Sequence, residues 1–357
     1  MTTYLLAGGG TAGHVNPLLA VADALVAREP DATVLVLGTR EGLEARLVPL
    51  RGYELLFVDK VPFPRRPDAA ALRFPERFAR AVRQVRGHIR ERGVDVVVGF
   101  GGYASAPAYV AARRAGVPVV VHEANAKPGL ANVLGARRAA ASGVAFEGTP
   151  LRGAEVVGMP LRPEIVHLDR AALRAEAAEV FGLDAERPVL LVFGGSLGAV
   201  RINRALADSW RDVVAAGWQV LHAAGERNDI ADPGDDAYRV VPYIDRMDLA
   251  FALADAIVSR SGAATVSEIS ALGIPAVYVP YAVGNGEQAL NAASAVAAGA
   301  AVLIPDGELT GDRIRSSVVP LLTDPEALDR MRDAASTVGT RAGSENVVAL
   351  IDRALGR

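Results

Sequence analysis

The stretch Gly8-Gly9-Gly10-Thr11-Ala12-Gly13-His14 decides the fold of the first half of this chain. It follows the apolar run Tyr4–Ala7, which predicts a buried strand, and precedes Pro17–Leu25, which predicts a helix. A glycine-rich turn between strand and helix lets backbone N–H groups approach an anionic or polar ligand at the helix N-terminus. His14 adds a group that can take a proton near neutral pH. The stretch therefore predicts binding and chemistry at one place.

Short apolar runs alternate with Ala-, Arg- and Glu-rich helical segments through the rest of the first half. The further predicted strands are Thr33–Gly38, Val94–Gly99, Val117–His122 and Gly143–Ala145, and the predicted helices are Asn16–Arg28, Pro75–Arg92 and Ala104–Ala115. This βαβ alternation predicts an α/β fold with a doubly wound parallel sheet and helices on both faces.

The pattern restarts with the predicted strand Arg187–Phe193 and a second glycine-rich turn, Gly194–Ala199. The later predicted strands are Gln219–Ala223, Tyr238–Val241, Ala256–Ser259, Ala276–Val279 and Ala301–Ile304. Because 357 residues are many for one core, the two series predict two Rossmann-like domains, residues 1–160 and 161–340. We expect the helix at about 341–357 to pack back on the first domain. Ligands of two facing domains of this kind bind in the cleft beyond the carboxyl ends of the strands.

Composition excludes several classes of protein. Hydrophobic residues make up 51% and charged residues 22% of the chain, which is typical of a globular protein. A net charge of −3 gives no general reason to expect nucleic acid as a partner. The absence of cysteine excludes disulfides, thiolate zinc sites and cysteine nucleophiles. No run approaches the roughly 20 apolar residues that span a bilayer, and no secretory signal is expected, so any membrane contact should be peripheral.

The spacing Gly8-x-Gly10-x-x-Gly13 also fits the dinucleotide-binding fingerprint. That fingerprint requires an acidic residue at the end of the second strand, about 20 positions further on. Here the second strand ends in Gly38-Thr39-Arg40, and Glu41 is farther away than expected. A nicotinamide or flavin enzyme is therefore disfavoured.

Two further loops of the first half carry polar groups after a strand. Tyr103, in the loop after Val94–Gly99, fits either a ligand contact or a packing tyrosine. His122-Glu123-Ala124-Asn125 places three polar side chains directly after an apolar strand, which is unusual for a structural turn and favours function. His14, His122 and Glu123 do not make a convincing metal set, because sequence does not determine their mutual geometry.

The second half contains three candidate binding segments. The turn Gly194–Ala199 lacks the Gly-Lys-Ser/Thr of a Walker A loop but can bind a diphosphate through backbone N–H groups, Ser196 and a helix N-terminus. Glu268, on the helix after Ala256–Ser259, fits either a ribose diol or a solvated helix surface. Glu287-Gln288 fits either sugar hydroxyls or a helix cap.

Taken together, these segments resemble the MurG family of bacterial cell-wall glycosyltransferases, in the same order from Gly8 to about Asn291. The shared motifs are Gly-Gly-Thr-x-Gly-His-x-x-Pro, His-Glu-x-Asn, Gly-Gly-Ser-x-Gly-Ala and Ser-Arg-Ser-Gly-Ala-x-Thr-x-Ser-Glu. The resemblance implies a GT-B fold and inverting transfer of GlcNAc from UDP-GlcNAc to the muramyl sugar of lipid I, which makes lipid II for peptidoglycan. This chain departs from the family pattern at Ala12, Ala124, Met159 and Glu287, and the last leaves the sugar contacts undetermined.

The resemblance also implies roles for residues. It places His14, Tyr103, His122 and Glu123 on the acceptor side, and since inverting transfer needs a base there, we expect His14 to be the catalytic base, helped by Glu123. The implied UDP-GlcNAc contacts are Thr11, Ala12, Gly13, Asn125, Arg162, Ser196, Ile244, Ala264, Thr265, Glu268 and Gln288, and the implied diphosphate loop contains Gly194, Gly195, Gly198 and Ala199.

We expect neither a metal nor a cofactor. No Asp-x-Asp pair stands in a loop suited to a diphosphate-bound metal, since Asp235 and Asp236 are adjacent in a polar loop. Backbone amides of the Gly194–Ala199 turn and the dipole of the next helix would stabilise the leaving UDP instead.

The segment 60–92 is strongly basic, with ten Lys or Arg residues against three acids, in a chain of net charge −3. Its basic residues are Lys60, Arg65, Arg66, Arg73, Arg77, Arg80, Arg83, Arg86, Arg90 and Arg92. Phe63, Leu72 and Phe74 are interleaved, which suits an anionic membrane surface. Phe78, Val82, Val85 and Ile89 form a stripe at helical spacing that we expect to pack on the sheet. The segment therefore predicts peripheral contact with the cytoplasmic face of the bacterial cell membrane.

Three alternatives remain open at this stage. One is another GT-B enzyme that uses a UDP-sugar, either a transferase with a soluble acceptor or an epimerase. A second is a nicotinamide oxidoreductase. A third is a catalytically inactive UDP-sugar-binding protein, against which the intact His14 argues.

Overall fold

A computed structural model describes residues 1–64, 69–195, 198–228, 230–281 and 286–357. The chain divides into two compact units. The N-terminal unit contains Met1–Pro163 and Arg341–Arg357, and the C-terminal unit contains Glu164–Thr340. Ser196, Arg65 and Arg66, which the sequence analysis singled out, lie outside the described residues.

The N-terminal unit is built on a seven-stranded sheet in the order β3-β2-β1-β4-β5-β6-β7, in which every pair of neighbours is parallel. Its strands are β1 Thr3–Ala7, β2 Thr33–Gly38, β3 Glu54–Phe57, β4 Val96–Gly99, β5 Val119–Glu123, β6 Ala141–Val144 and β7 Ala154–Val156. Its helices are α1 Ala12–Arg28, α2 Glu44–Leu50, α3 Ala69–Glu91, α4 Ser105–Ala115 and α5 Leu130–Ala136, together with the C-terminal helix α17 Gly343–Leu355.

Both faces of this sheet are covered. Leu5 and Leu35 belong to a core cluster on one face, whereas Leu6 and Val36 belong to a cluster on the other. Because strands that are buried on both faces need apolar side chains at every position, β1 and β2 occur in the sequence as continuous apolar runs. Helix α3 covers the first face with Val82, Val85 and Ile89, which confirms the predicted stripe. Helix α17 covers the second, with Val347, Val348, Leu350 and Ile351 in that core.

The C-terminal unit has a six-stranded sheet in the order β10-β9-β8-β11-β12-β13, again with parallel neighbours. Its strands are β8 Val189–Phe193, β9 Gln219–Ala223, β10 Tyr238–Val241, β11 Ala256–Ser259, β12 Ala276–Tyr278 and β13 Ala301–Leu303. The helices are α6 Pro163–Val166, α7 Arg170–Phe181, α8 Val200–Ala207, α9 Trp210–Ala215, α10 Met247–Leu253, α11 Ala263–Ala271, α12 Glu287–Asn291, α13 Ala293–Ala297, α14 Gly311–Arg313, α15 Val319–Leu322 and α16 Pro325–Val338, with a 3-10 turn at Asp306–Glu308 and a π-helical turn at Ile314–Val318.

Each sheet has a point at which the strand order reverses, between β1 and β4 in the N-terminal unit and between β8 and β11 in the C-terminal unit. Ligands of doubly wound sheets bind outside the carboxyl ends of the strands at such a point. The loops that follow these four strands are the glycine-rich or serine-rich segments identified in the sequence, so the fold gathers them at the two expected places.

The two predicted doubly wound sheets are confirmed, with two kinds of difference in detail. The edge strands β3 and β7 were missed, because they are four and three residues long and too short to show a period. Helix α1 begins at Ala12 rather than Asn16, directly after Thr11 in an extended conformation. His14 therefore lies in the first turn of α1.

Candidate active site

Two glycine-rich loops of the N-terminal unit touch through their backbones at the β1–β4 switch point. Gly102 has φ +80°, and a Cβ at that position would lie 2.3 Å from the carbonyl oxygen of Gly9. A side chain at residue 102 is excluded both by this clash and by the left-handed backbone. Ser105 ties the second loop to β1, because its Oγ accepts from Gly101 N–H (3.0 Å) and donates to the Ala7 carbonyl (2.8 Å).

The imidazole of His14 is held at this contact in one tautomer. Its Nδ1 lies 3.2 Å from the Gly9 carbonyl oxygen and 3.3 Å from Thr11 Oγ1. Since a carbonyl oxygen only accepts, Nδ1 carries the proton and Nε2 keeps its lone pair. Nε2 faces Gly101, where an added Cβ would lie 3.0 Å from it. The half-buried ring is therefore arranged to accept a proton through Nε2.

Glu44, which the sequence analysis did not identify, supports the same loop from α2. Its side chain is fully buried, and its Oε2 accepts a hydrogen bond from Gly10 N–H at 2.8 Å. Oε1 accepts from the N–H (2.8 Å) and Oγ1 (2.9 Å) of Thr39. The carboxyl group thereby connects the loop after β1 to the end of β2. The sequence signal for this contact would be a glutamate a few residues after Gly38-Thr39. Spacing alone does not show that the side chain of Glu44 turns inward.

Glu123 holds the loop after β5 rather than His14. It is buried, and its carboxylate accepts hydrogen bonds from Asn125 N–H (2.9 Å), Gly129 N–H (2.9 Å) and Asn132 Nδ2 (2.9 Å). Across the described parts of the chain, Glu123 has no hydrogen bond to His14. Asn132, which donates to Glu123, lies on the same side of Gly101 as His14: a Cβ added to Gly101 would be 3.4 Å from Asn132 Nδ2 and 3.0 Å from His14 Nε2. Direct help from Glu123 to His14 stays a prediction.

His122 and Tyr103 have opposite environments. His122 is 0% exposed, its Nε2 donates to the Gly158 carbonyl at 3.0 Å, and burial lowers its pKa below the ordinary histidine value. Its ring supports the site from inside the unit and faces no solvent. Tyr103 is 37% exposed, and the ammonium of Lys60 lies 5.0 Å from its ring centre. Of the two interpretations of Tyr103, the structure thus favours an accessible ring over a packing tyrosine.

The diphosphate candidate of the C-terminal unit is a tight turn between β8 and α8. A Cβ at Gly198 would lie 2.1 Å from the Ala224 carbonyl oxygen, and Gly198 has φ +73°. Gly195 has φ +85°, and a Cβ added there would have no atom within 4 Å. Ala199 is the N-cap of α8, so the helix begins where the turn ends. Only glycine allows this path, which leaves backbone N–H groups at the start of a helix.

A cavity of about 860 Å³ in the C-terminal unit gathers several predicted donor residues. Those that line it are Gly194, Gly195, Gly198, Ala199, Thr265 and Gln288. Ala264 and Glu268 lie on α11 beside Thr265, and Ile244 is buried in the segment between β10 and α10. Arg162, in contrast, belongs to the N-terminal unit together with Thr11, Ala12, Gly13 and Asn125.

Three arginines also line this cavity, and the sequence analysis assigned none of them a role: Arg201, Arg204 and Arg260. Arg260 forms an ion pair of 2.5 Å with Asp306, whose other carboxylate oxygen lies 3.0 Å from Arg201 Nε. One carboxylate thus orients two guanidinium groups at the diphosphate turn. Arginine near a glycine-rich turn is the available sequence signal, but the shared partner follows β13 and is distant in sequence.

Within the described ranges there is no cluster of three or more His, Asp or Glu residues that could hold a metal ion. A search of the same residues finds no helix long and apolar enough to cross a membrane.

Comparison with known proteins identifies the family. Residues 4–144 match the glycosyltransferase family 28 N-terminal domain, and residues 189–347 match the family 28 C-terminal domain. A UDP-N-acetylglucosamine–N-acetylmuramyl-(pentapeptide) pyrophosphoryl-undecaprenol N-acetylglucosamine transferase of Clavibacter michiganensis is 62% identical over 352 residues, 98% of this chain and 96% of that protein. The protein of the same name from Mycolicibacterium smegmatis is 54% identical over 346 residues, 94% of this chain and 90% of that protein.

The solved structures agree. The crystal structure of Acinetobacter baumannii MurG has 28% sequence identity and a TM-score of 0.81, and the match covers 99% of this chain and all of that one. The chain therefore belongs to the MurG family of glycosyltransferases, and the expected GT-B fold class is confirmed. A UDP-GlcNAc 2-epimerase from Neisseria meningitidis, with 14% identity and a TM-score of 0.70, shares the fold alone.

Proposed function

We infer that this protein is a hexosyltransferase that moves GlcNAc from UDP-GlcNAc to the muramyl sugar of lipid I and so makes lipid II for peptidoglycan. The observation that carries this function is the free Nε2 of His14 at the glycine-loop contact, in a chain that is 62% identical to a transferase of that name. A merely binding relative would have no use for a histidine whose tautomer leaves one nitrogen ready to accept a proton.

We propose that the C-terminal unit binds the donor. The turn Gly194–Ala199 receives the diphosphate through its N–H groups, and Thr265 and Gln288 complete the cavity wall. Glu268 binds the ribose diol, Ile244 receives the uracil through its backbone, and Ala264 adds a contact at the start of α11. Arg162 and Ser196 add polar contacts, as do Thr11, Ala12, Gly13 and Asn125 from the N-terminal unit.

In the proposed reaction His14 Nε2 takes the proton of the acceptor hydroxyl as that oxygen attacks the anomeric carbon of GlcNAc. Attack from the face opposite UDP inverts the anomeric centre. The bond from the anomeric carbon to the phosphate oxygen breaks, and UDP leaves with the electron pair. Its developing charge is stabilised by the N–H groups of the Gly194–Ala199 turn and by the N-terminus of α8. Glu123 positions the neighbourhood of His14 through Asn132, and Tyr103 and the buried His122 support the acceptor side.

We further propose that the protein acts peripherally at the cytoplasmic face of the cell membrane through the basic segment 60–92. Leu72 is 85% exposed, and Phe63, Phe74 and Phe78 form a ring cluster with centroids 5.4 to 6.4 Å apart. Exposed arginines on the same helix include Arg73, Arg77, Arg80, Arg83 and Arg90. An apolar group among cations suits an anionic lipid surface. Sedimentation with vesicles tests this: binding that depends on neither anionic lipid nor salt contradicts it.

The deciding experiment incubates the protein with labelled UDP-GlcNAc and a lipid I analogue and looks for the disaccharide product. His14→Ala should abolish transfer while UDP still binds, and His167→Ala, which changes an exposed histidine, should retain activity. Near-normal turnover by His14→Ala would refute the assignment of the base. If product forms only with a soluble acceptor, a transferase for soluble acceptors is favoured. If the UDP-sugar is epimerised without any acceptor, an epimerase is favoured.

A further inference from the structure

A second cavity lies at the carboxyl ends of β2 and β3 in the N-terminal unit. Its volume is about 550 Å³, and three cationic side chains line it, namely Arg40 after β2, Lys60 after β3 and Arg77 on α3. Two acids, Glu41 and Asp59, also line it. The cavity lies at the same edge of the sheet as the loops that carry His14 and Tyr103, because all these segments follow the ends of parallel strands.

The three cations are held by groups that carry no negative charge. The Arg40 guanidinium lies 4.2 Å from the centre of the Phe57 ring, and the Lys60 ammonium lies 5.0 Å from that of Tyr103. Arg77 Nη2 donates to the Lys60 carbonyl at 3.0 Å. None of the three forms an ion pair with an acid in the described part of the chain, Glu41 and Asp59 included. A cation over an aromatic ring is oriented but stays positively charged.

Some other arginines of the same unit do pair with a carboxylate. Arg51 pairs with Asp23 at 2.8 Å, Arg80 pairs with Glu76 at 3.0 Å, and Arg92 pairs with Glu54. The three cations that line this cavity have no such partner among the described residues, and an anion would be their natural one.

One cation of the cavity, Lys60, contacts the loop that faces His14 through Tyr103. Its ring lies under Lys60, and it is two residues from Gly101, whose Cβ position is 3.0 Å from His14 Nε2. Tyr103 thus connects the loop that faces His14 to the cation Lys60.

We propose that this cavity binds the diphosphate of the acceptor, with Arg40, Lys60 and Arg77 as its ligands. The inference rests on the proposed function: the muramyl sugar of lipid I carries the reacting hydroxyl and the diphosphate on one ring. The cavity would hold the charged end while His14 meets the hydroxyl. Arginine offers paired N–H donors and lysine a mobile charge to phosphate oxygens. A phosphate headgroup of a membrane lipid has the same chemistry, so the test separates the two sources.

The test measures KM in neutral detergent, where no anionic lipid is present, for the double variant Arg40→Gln/Lys60→Gln. Two acceptors are compared, a lipid I analogue and the same molecule with an uncharged linker in place of the diphosphate. We expect KM for the diphosphate acceptor to rise about tenfold or more, with KM for UDP-GlcNAc and turnover of the uncharged acceptor unchanged. Arg46→Gln, which removes an exposed arginine of α2 outside the cavity, is the matched control.

An unchanged KM for the diphosphate acceptor, or an equal loss with both acceptors, overturns the proposal. If the double variant binds anionic vesicles more weakly while its KM is unchanged, the cavity binds a lipid headgroup. That result also overturns the proposal. Binding of labelled lipid I analogue without donor is measured in parallel. If the wild type makes no disaccharide, the proposed function fails, whereas a variant-sensitive affinity for the diphosphate alone would still report on the cavity. Thermal melts exclude misfolding as the cause of any loss.

Discussion

The substitution Glu44→Gln tests whether a buried carboxyl group positions the loop that carries the proposed base. Glu44 has no exposed surface and accepts three hydrogen bonds, from Gly10 N–H and from the N–H and Oγ1 of Thr39. Glutamine is nearly the same size, so the packing is kept. Its amide can keep an oxygen towards Thr39, but its NH2 group then faces Gly10 N–H, and two donors oppose each other.

The expected magnitude follows from these contacts. One hydrogen bond becomes a donor–donor clash, and two others lose a carboxylate acceptor. A buried group left unsatisfied costs about 1–3 kcal/mol, so we expect the free energy of unfolding of the N-terminal unit to fall by about 2–4 kcal/mol. Because Gly10 is adjacent to Gly9, whose carbonyl orients His14, kcat should fall about tenfold, equivalent to about 1.4 kcal/mol. KM for UDP-GlcNAc should change less than kcat, since most of the proposed donor contacts lie in the C-terminal unit and only Thr11, Ala12 and Gly13 adjoin the displaced loop.

The assays are urea unfolding, amide hydrogen exchange of the Gly8–His14 segment, and steady-state kinetics. Asp31→Asn provides the control, because it changes an exposed acid of the same unit by the same chemistry. The positioning role is refuted if Glu44→Gln has the same free energy of unfolding as the wild type and the same amide exchange rates at Gly10 and Thr39. A fall in stability with kcat unchanged would leave Glu44 as a purely structural residue.

Three further predictions concern other contacts. Gly102→Ala should lower the free energy of unfolding by at least about 1–2 kcal/mol and abolish transfer, because its Cβ would meet the Gly9 carbonyl oxygen at 2.3 Å with φ +80°; a thermal melt and activity like those of the wild type would contradict this. Burial lowers the pKa of His222 to about 4. The unfolded chain therefore binds more protons between about pH 6.5 and 4, and stability that is complete above pH 6.5 should fall by about 3 kcal/mol as pH is lowered through that window; urea titrations should show a shallower loss in His222→Gln, and an identical slope would exclude this origin. Tyr109→Phe removes the 2.6 Å hydrogen bond to Asn132 Oδ1 and should cost about 1 kcal/mol, with kcat more affected than KM for the donor; unchanged kcat would separate Asn132 from the chemistry.

Much of the fold was predictable, because the relevant information is local. The strands β2, β9, β10 and β11 have the predicted bounds, and β8 begins two residues later than predicted, at Val189. Their apolar runs are continuous because both faces of each sheet are covered by helices. Short edge strands such as β3 and β7 carry no such pattern, since they have too few residues and too little burial to show a period.

The site was predictable in its loops and not in its contacts. The glycine-rich turns and His14 are visible in sequence because a strand, a turn and a helix follow one another within a few residues. The tautomer of His14 was not predictable from the sequence, because it depends on where the Gly9 carbonyl points. The burial of His122 was not predictable either. It depends on the groups that pack against the ring, which are the Gly158 carbonyl and the Phe100 ring, 5.8 Å away.

The sequence by itself determined the two α/β units, the four glycine-rich or serine-rich loops, the family and His14 as the candidate base, since periodicity, turn chemistry and motif order are properties of the chain. Tertiary structure alone decided that Glu44 holds Gly10, that Asn132 donates to Glu123, and that Asp306 pairs with both Arg260 and Arg201. These partners are distant in sequence, and a buried polar group takes whichever partner the packing brings within hydrogen-bonding distance.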